Sequence, residues 1–144
     1  MRSITPAELE GLAEAVQTGA RAIEQRDRET LEQLIAARWH EDCEWVPLIA
    51  AVEGEASYHG RDGLLAFYED LWNSFEVRYG EPDVRQVEDV FVYLTTMELR
   101  GRESGVEMLV ELGVVWEPDG DRIRRGRAFD SHTAALAAAE ALDA

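Results

Sequence analysis

Cysteine is all but missing from this sequence. Cys43 stands alone, which excludes a disulfide framework and a cysteine metal cluster. No apolar run approaches the roughly 18–20 residues needed to span a bilayer, which argues against a membrane helix. The opening residues, Met1-Arg2-Ser3-Ile4-Thr5-Pro6, lack the apolar core of a signal peptide, and a reducing cytoplasm is the expected location. Positive charge is scarce: 14 basic against 30 acidic side chains give a formal net charge of −16. Such a surface repels phosphate backbones and anionic headgroups, so neither nucleic acid nor membrane is an expected partner. The acids are scattered, and their plainest role is solubility. No two of the three histidines have metal-ligand spacing, and neither metal nor cofactor is expected. Glycine-rich phosphate loops and nucleophile elbows are missing, and Ser104, Ser131 and Cys43 lack the surroundings of a nucleophile.

What is present fits one domain over residues 1–144, with 46% hydrophobic residues and enough length for a sizeable core. Thr5-Pro6-Ala7-Glu8 reads as a capping box opening a helix that buries Leu9, Leu12, Ala13, Val16, Ala20 and Ile23. Asp27 caps a second helix with Leu31, Leu34, Ile35 and Trp39 inside, and Cys43–Leu48 follows as a short strand. Ala50–Ser57 reads as a loop. A third helix carries Leu64, Phe67, Tyr68, Leu71, Trp72 and Phe75 at helical spacing until Gly80 and Pro82 break it. Four strands come next: Val84–Val87, Val90–Leu99, Val106–Trp116 and Arg122–Phe129.

The third of these is the clearest, with Met108, Val110, Leu112, Val114 and Trp116 on one apolar face. Pro118-Asp119-Gly120-Asp121 returns it as a hairpin, and Gly101–Gly105 is the turn before it. Ser131 caps an alanine-rich last helix. The order predicts an α+β fold, with the first helices covering one face of a curved, mostly antiparallel sheet. Such a sheet with helices across it makes a cone that can hold a small molecule. Leu109, Val115 and Phe129, on the sheet's other side, predict a homodimer through that side.

Four segments carry a family resemblance: Asp42-Cys43-Glu44-Trp45-Val46-Pro47, Tyr58-His59-Gly60-Arg61-Asp62-Gly63-Leu64, Val114-Val115-Trp116 through Asp119-Gly120-Asp121-Arg122-Ile123, and Arg127-Ala128-Phe129. In order and spacing they resemble the SnoaL-like branch of the nuclear transport factor two superfamily, over nearly the whole chain. The resemblance implies a cystatin-like cone, with the N-terminal helices in the concave face and a C-terminal helix. It implies no single activity, since isomerases, epoxide hydrolases, dehydratases, polyketide cyclases and non-enzymes share the cone. The aspartate base of its steroid isomerases would fall near Val46 and Pro47, and their second aspartate near Gly113, where neither residue type can serve. Of the Asp–Arg–Asp relay of limonene epoxide hydrolases, only the first acid has a counterpart, Glu98; Thr96 and Ala128 occupy the other positions.

Two acids are therefore the catalytic candidates. Glu98 shares a strand face with Val90, Val92, Leu94 and Thr96. Turned into the cone it would be desolvated and usable as a general acid or base; turned out, it pairs with Arg100 at the surface. Asp130 shares a face with Arg124, Gly126 and Ala128, and serves either acid–base chemistry or the start of the last helix. Trp45, His59, Tyr68, Trp72, Thr96 and Arg124 are the candidate substrate-binding residues, Trp45 first among them. With Tyr93 and Trp116 the aromatics suggest a cavity for a flat apolar ligand, although each singly also suits an ordinary core. Arg127 is expected to pair with an acid such as Glu111. The function these features predict is binding of a small hydrophobic molecule. They leave open whether a cofactor-independent isomerase, cyclase or hydrolase does the binding, or a non-catalytic or dimeric interaction module.

Overall fold

A computed structural model describes residues 5–48 and 57–142. The loop expected at Ala50–Ser57 lies outside the described residues except for Ser57. Helix α1 (Pro6–Gln25) begins as its capping box requires: the Thr5 hydroxyl accepts the Glu8 N–H and the Glu8 carboxylate accepts that of Thr5, both at 3.1 Å. It ends at Arg26, whose left-handed backbone (φ 55°) turns the chain into α2 (Arg28–Arg38). Asp27 caps that helix, accepting the Thr30 N–H at 3.2 Å and its hydroxyl at 2.7 Å. The helix stops one residue short of Trp39, which instead opens strand β1 (Trp39–Val46). Trp39 pairs with Ile123, and the Arg61 guanidinium takes its carbonyl with two hydrogen bonds, at 2.8 and 3.1 Å. Both partners are distant in sequence, and they override the helical periodicity.

After β2 (Tyr58–His59) comes α3 (Gly60–Ser74), then β3 (Phe75–Tyr79), β4 (Asp83–Val87), β5 (Val90–Gly101), β6 (Glu107–Asp119), β7 (Arg122–Phe129) and α4 (His132–Leu142). Strand β3 corrects the sequence reading, which ran the helix through Phe75. The sheet order is β2-β1-β7-β6-β5-β3, with β4 beside β3 along the far edge of β5. All pairs are antiparallel except β1 with β7. The result is the expected α+β cone, a strongly curled mixed sheet with helices in its concave face. Among the described residues no helix is long and apolar enough to cross a membrane.

Helices cover both faces of this sheet. The concave core joins Leu12, Ile35, Phe67, Phe91, Trp116 and Ile123; a second core on the convex side joins Val90, Val92, Leu94 and Val115 to Ala135 and Ala139 of α4. Gly113 permits that second contact, because a Cβ there would lie 2.5 Å from the Ala135 Cβ. On β6 the expected inner face is buried at Leu112, Val114 and Trp116, half-buried at Val110 and exposed at Met108. Of the three residues expected to remain open on the convex face, Val115 is buried under α4 and Phe129 packs against the same cluster. Leu109 alone is open, at 68% exposure.

Candidate functional site

Inside the cone the side chains leave a cavity of about 80 Å³, measured as the space open to the centres of water molecules. Its walls come from α1 (Val16, Gly19, Ala20, Ile23), from α3 (Leu64, Phe67, Tyr68, Leu71) and from the concave strand faces (Tyr93, Met97, Leu112, Val114, Ala128). Trp39, Trp45 and Trp116 close one side. Among the described lining residues there is no carboxylate, imidazole or guanidinium. The polar atoms of the lining side chains are the phenols of Tyr68, Tyr79 and Tyr93 and the indole nitrogens, apart from the soft sulfur of Met97.

Strand register builds the aromatic wall. Trp45 of β1 and Trp116 of β6 both pair with Gly126 of β7, which runs between them. Strands lie about 4.8 Å apart, so residues on strands either side of a third start about 10 Å apart. The two indoles nevertheless stack with centroids 5.4 Å apart and planes 15° apart, by leaning together over Gly126. A Cβ at residue 126 would come within 2.6 Å of Trp116 Cε3 and 2.9 Å of Trp45 Cε3. Trp39 meets Trp116 edge-on at 5.8 Å, and Phe67 meets Trp45 in the same way at 5.9 Å. Both rings of the stack are buried, and neither indole N–H has a hydrogen-bond partner among the described residues.

Burial governs the phenols. It pushes the Tyr68 hydroxyl well above the usual tyrosine range, with the Cys43 thiol adding to the effect. Tyr79 is likewise raised by burial, then by Tyr68, Tyr93 and Glu24. Tyr93 is raised to about 12 by burial and Glu24, against the opposing charge of Arg21. All three are neutral hydrogen-bond donors at neutral pH.

The structure distributes the sequence-derived candidates unevenly. Trp45 and Tyr68 line the cavity. Trp72 is buried but does not line it, its indole N–H donating to the Ile23 carbonyl at 2.8 Å. His59 is exposed at the head of α3, its Nε2 2.9 Å from the Ser57 hydroxyl. Glu98 and Thr96 are exposed on the convex face, which corrects the expectation that their face looks inward. It is the odd-numbered residues of β5, Tyr93, Met97 and Leu99, that reach the cavity. Glu98 pairs across the sheet with Arg78 and lies in a surface hollow with Glu76, Arg100 and Glu107.

Arg124 is also corrected. The pairing of β7 with β6 shifts by one between Arg125 and Ile123, so Arg124 is the extra residue of a bulge and points to solvent. Asp130 is exposed between β7 and α4 and shares no cavity with Glu98 among the described residues. Arg127 lies over the Phe129 ring at 4.8 Å, while Glu111 accepts the His132 N–H at 2.6 Å at the start of α4. Sequence reasoning passed over Gly126 as a seat for the indoles. It also passed over Glu24, whose carboxylate accepts the Tyr79 N–H at 3.0 Å and whose charge acts on two cavity phenols. No sequence signal marks Glu24, which sits on an exposed turn of α1.

No family model and no curated protein matches the chain. Solved structures do. A protein from Bacillus subtilis proposed as an isomerase superposes with a TM-score of 0.72 at 17% identity, over 84% of this chain and 86% of its own. TerC, co-crystallised with polyporic acid, gives 0.68 at 19% identity over 90% and 98%. A proposed SnoaL-like polyketide cyclase from Shewanella denitrificans gives 0.63 at 14% identity over 93% and 99%. At these identities the likeness is one of fold: the chain has the nuclear transport factor two-like, SnoaL-like fold that its motifs resemble.

Proposed function

We propose that this chain binds a small apolar molecule in the cavity of the cone and does not transform it. The carrying observation is the lining: apolar and aromatic side chains with neutral donors, and no acid or base among the described residues. Glu98 and Asp130, the carboxylates that chemistry would need, both lie outside it. TerC, bound to polyporic acid, supports use of this fold for holding small molecules. The catalytic alternative draws on the isomerase and cyclase proposals for neighbouring structures and on Glu24, the acid whose charge reaches the cavity phenols. A cytoplasmic setting suits the lone, buried Cys43 thiol.

Ligand binding to the native state raises the unfolding midpoint in a saturable way. Ethylbenzene, an uncharged one-ring hydrocarbon, is expected to do so. Ala128 lines the cavity from β7, opposite Val114. Ala128→Leu fills part of that space, and is expected to weaken ethylbenzene binding at least about tenfold while the protein stays folded. An unchanged midpoint at saturating ethylbenzene would sink the proposal.

The same reading includes a homodimer. Helix α4 covers only part of the convex face, and beyond it Leu109 lies open beside Glu76, Arg78, Glu98, Arg100 and Glu107. These charges alternate in sign across β3, β5 and β6, a pattern that a second copy related by two-fold symmetry can match. Leu109→Arg is expected to convert a dimer into a monomer in sedimentation velocity at micromolar concentration. A wild-type protein already monomeric there removes the dimer from the proposal.

A further inference from the structure

Phenols give the cavity a polar side. Tyr93 of β5 and Tyr79 of β3 line it together with Met97, the partner of Tyr79 across the sheet. Tyr68 reaches it from α3. Tyr79 is raised in part by both other phenols, so the three oxygens are near enough to act on one another. None of these hydroxyls has a hydrogen-bond partner among the described residues. Nor are they sealed in. The partnerless side-chain atoms without open surface are the Trp45 and Trp116 indole nitrogens, so each phenol oxygen keeps some surface of its own. Tyr68 and Tyr93 are buried residues of the cavity wall, and the cavity is where that surface opens. Buried polar atoms are normally satisfied, and these are left for something the cavity holds.

Cavity size sets a second limit. By the measure used for the 80 Å³, one water needs about 10–15 Å³, giving room for about five to eight waters. At roughly 30 Å³ of liquid per water, that is about the bulk of one six-membered ring with a small substituent. Chemistry sets a third. Each phenol offers one donor hydrogen and two acceptor lone pairs, which a hydroxyl group can meet in both directions and a carbonyl in one only. A carboxylate finds no cation among the described lining residues, and an unpaired charge is costly to bury. Glu24, whose charge already acts on Tyr79 and Tyr93, would repel it further, offset by Arg21 at Tyr93.

Resting on the apolar-binding reading above, we infer that the cavity takes a small ring compound bearing an uncharged hydroxyl, held by hydrogen bonds to the hydroxyls of Tyr68, Tyr79 and Tyr93. The apolar wall takes the ring. The phenols take the hydroxyl, and the corresponding carboxylate is turned away.

Three probes test this on the full-length protein: benzyl alcohol, its isostere ethylbenzene, and benzoate. Affinities are read from ¹H–¹⁵N titrations of the cavity-lining amides. Water holds the alcohol more strongly than the hydrocarbon, so the decisive comparison is between protein variants rather than between probes. Among Tyr68→Phe, Tyr79→Phe and Tyr93→Phe, at least one is expected to weaken benzyl alcohol binding about three- to tenfold, the range of one hydrogen bond. The same variant should bind ethylbenzene as wild type does, which also shows that it is folded. Benzoate is expected not to bind at a concentration at which benzyl alcohol saturates. If no variant weakens benzyl alcohol binding more than ethylbenzene binding, or if wild type binds ethylbenzene and not benzyl alcohol, the inference is overturned and apolar binding stands. Benzoate binding as tightly as benzyl alcohol overturns the exclusion of the carboxylate. Failure of both uncharged probes to bind overturns this inference and the reading beneath it together.

Discussion

Gly126→Val is expected to destabilise the protein by roughly 3 kcal/mol, the upper part of the usual range for forcing volume into a packed core. Trp45 and Trp116 meet over the bare backbone of residue 126, and a β-carbon alone would already press on both rings. A valine must part the stack, and each ring then runs into a neighbour: Phe67 on the Trp45 side, Trp39 on the Trp116 side. Equilibrium urea unfolding should show a lowered midpoint with an unchanged slope, and near-ultraviolet circular dichroism should lose intensity in the tryptophan region. Gly126→Ala should fall between wild type and valine. A valine variant with the wild-type midpoint and an intact tryptophan spectrum would show that the indoles do not rest on residue 126.

The second large effect is expected on the opposite face. Gly113 lies under α4, and a β-carbon there would meet the Ala135 Cβ at 2.5 Å and the Leu94 Cδ2 and Ser131 carbonyl at 3.4 Å. Helix α4 is held by small residues, Ala135 and Ala139, on Val90, Val92, Leu94 and Val115, so it has little bulk to rearrange. Gly113→Val is therefore expected to lift α4 and to destabilise the protein by about 2–3 kcal/mol. Hydrogen exchange should locate the damage: the amides of Ala135 to Ala139 should exchange far faster than in wild type, while those of β1 keep their relative protection. Uniform loss of protection over both regions would mean that α4 and the cone unfold as one unit, against this account.

Both sites show where sequence patterning was legible and where it was not. The capping box at Thr5, the Asp27 cap, the alternation along β6 and the turn at Gly120 (φ 65°) involve neighbours in sequence, and each could be read directly. Trp39 and Phe75 were misassigned because long-range pairing converts the last residues of a helical pattern into strand. The face of Glu98, open in the sequence, is decided by the turn. The turn between β5 and β6 is one residue shorter than the Gly101–Gly105 reading: Gly101 donates its N–H to the Val106 carbonyl, and Arg100 pairs with Glu107. An even-numbered residue of β6 therefore faces the same way as an odd-numbered residue of β5. A turn one residue longer would put every side chain of β5 on the other face.

Hydrophobicity could not decide the face either. Val90 to Thr95 are buried without interruption, the odd positions in the cone and the even ones under α4. The lining aromatics were easier to find, because Trp45, Tyr68, Tyr93 and Trp116 are bulky enough to need an interior wherever the register falls.

The parallel pairing of β1 with β7 also orders events in time. Trp45 and Gly126 stand side by side in the sheet yet are separated by most of the chain. On a ribosome β1 is made early, and its long partner is the last strand to appear. Until β7 arrives, β1 has only the two-residue β2 to pair with. Closing so long a loop makes this a slow step of folding. The strand synthesised first thus waits longest for its place, and the meeting of Trp45 with Trp116 over Gly126 marks the moment it is seated.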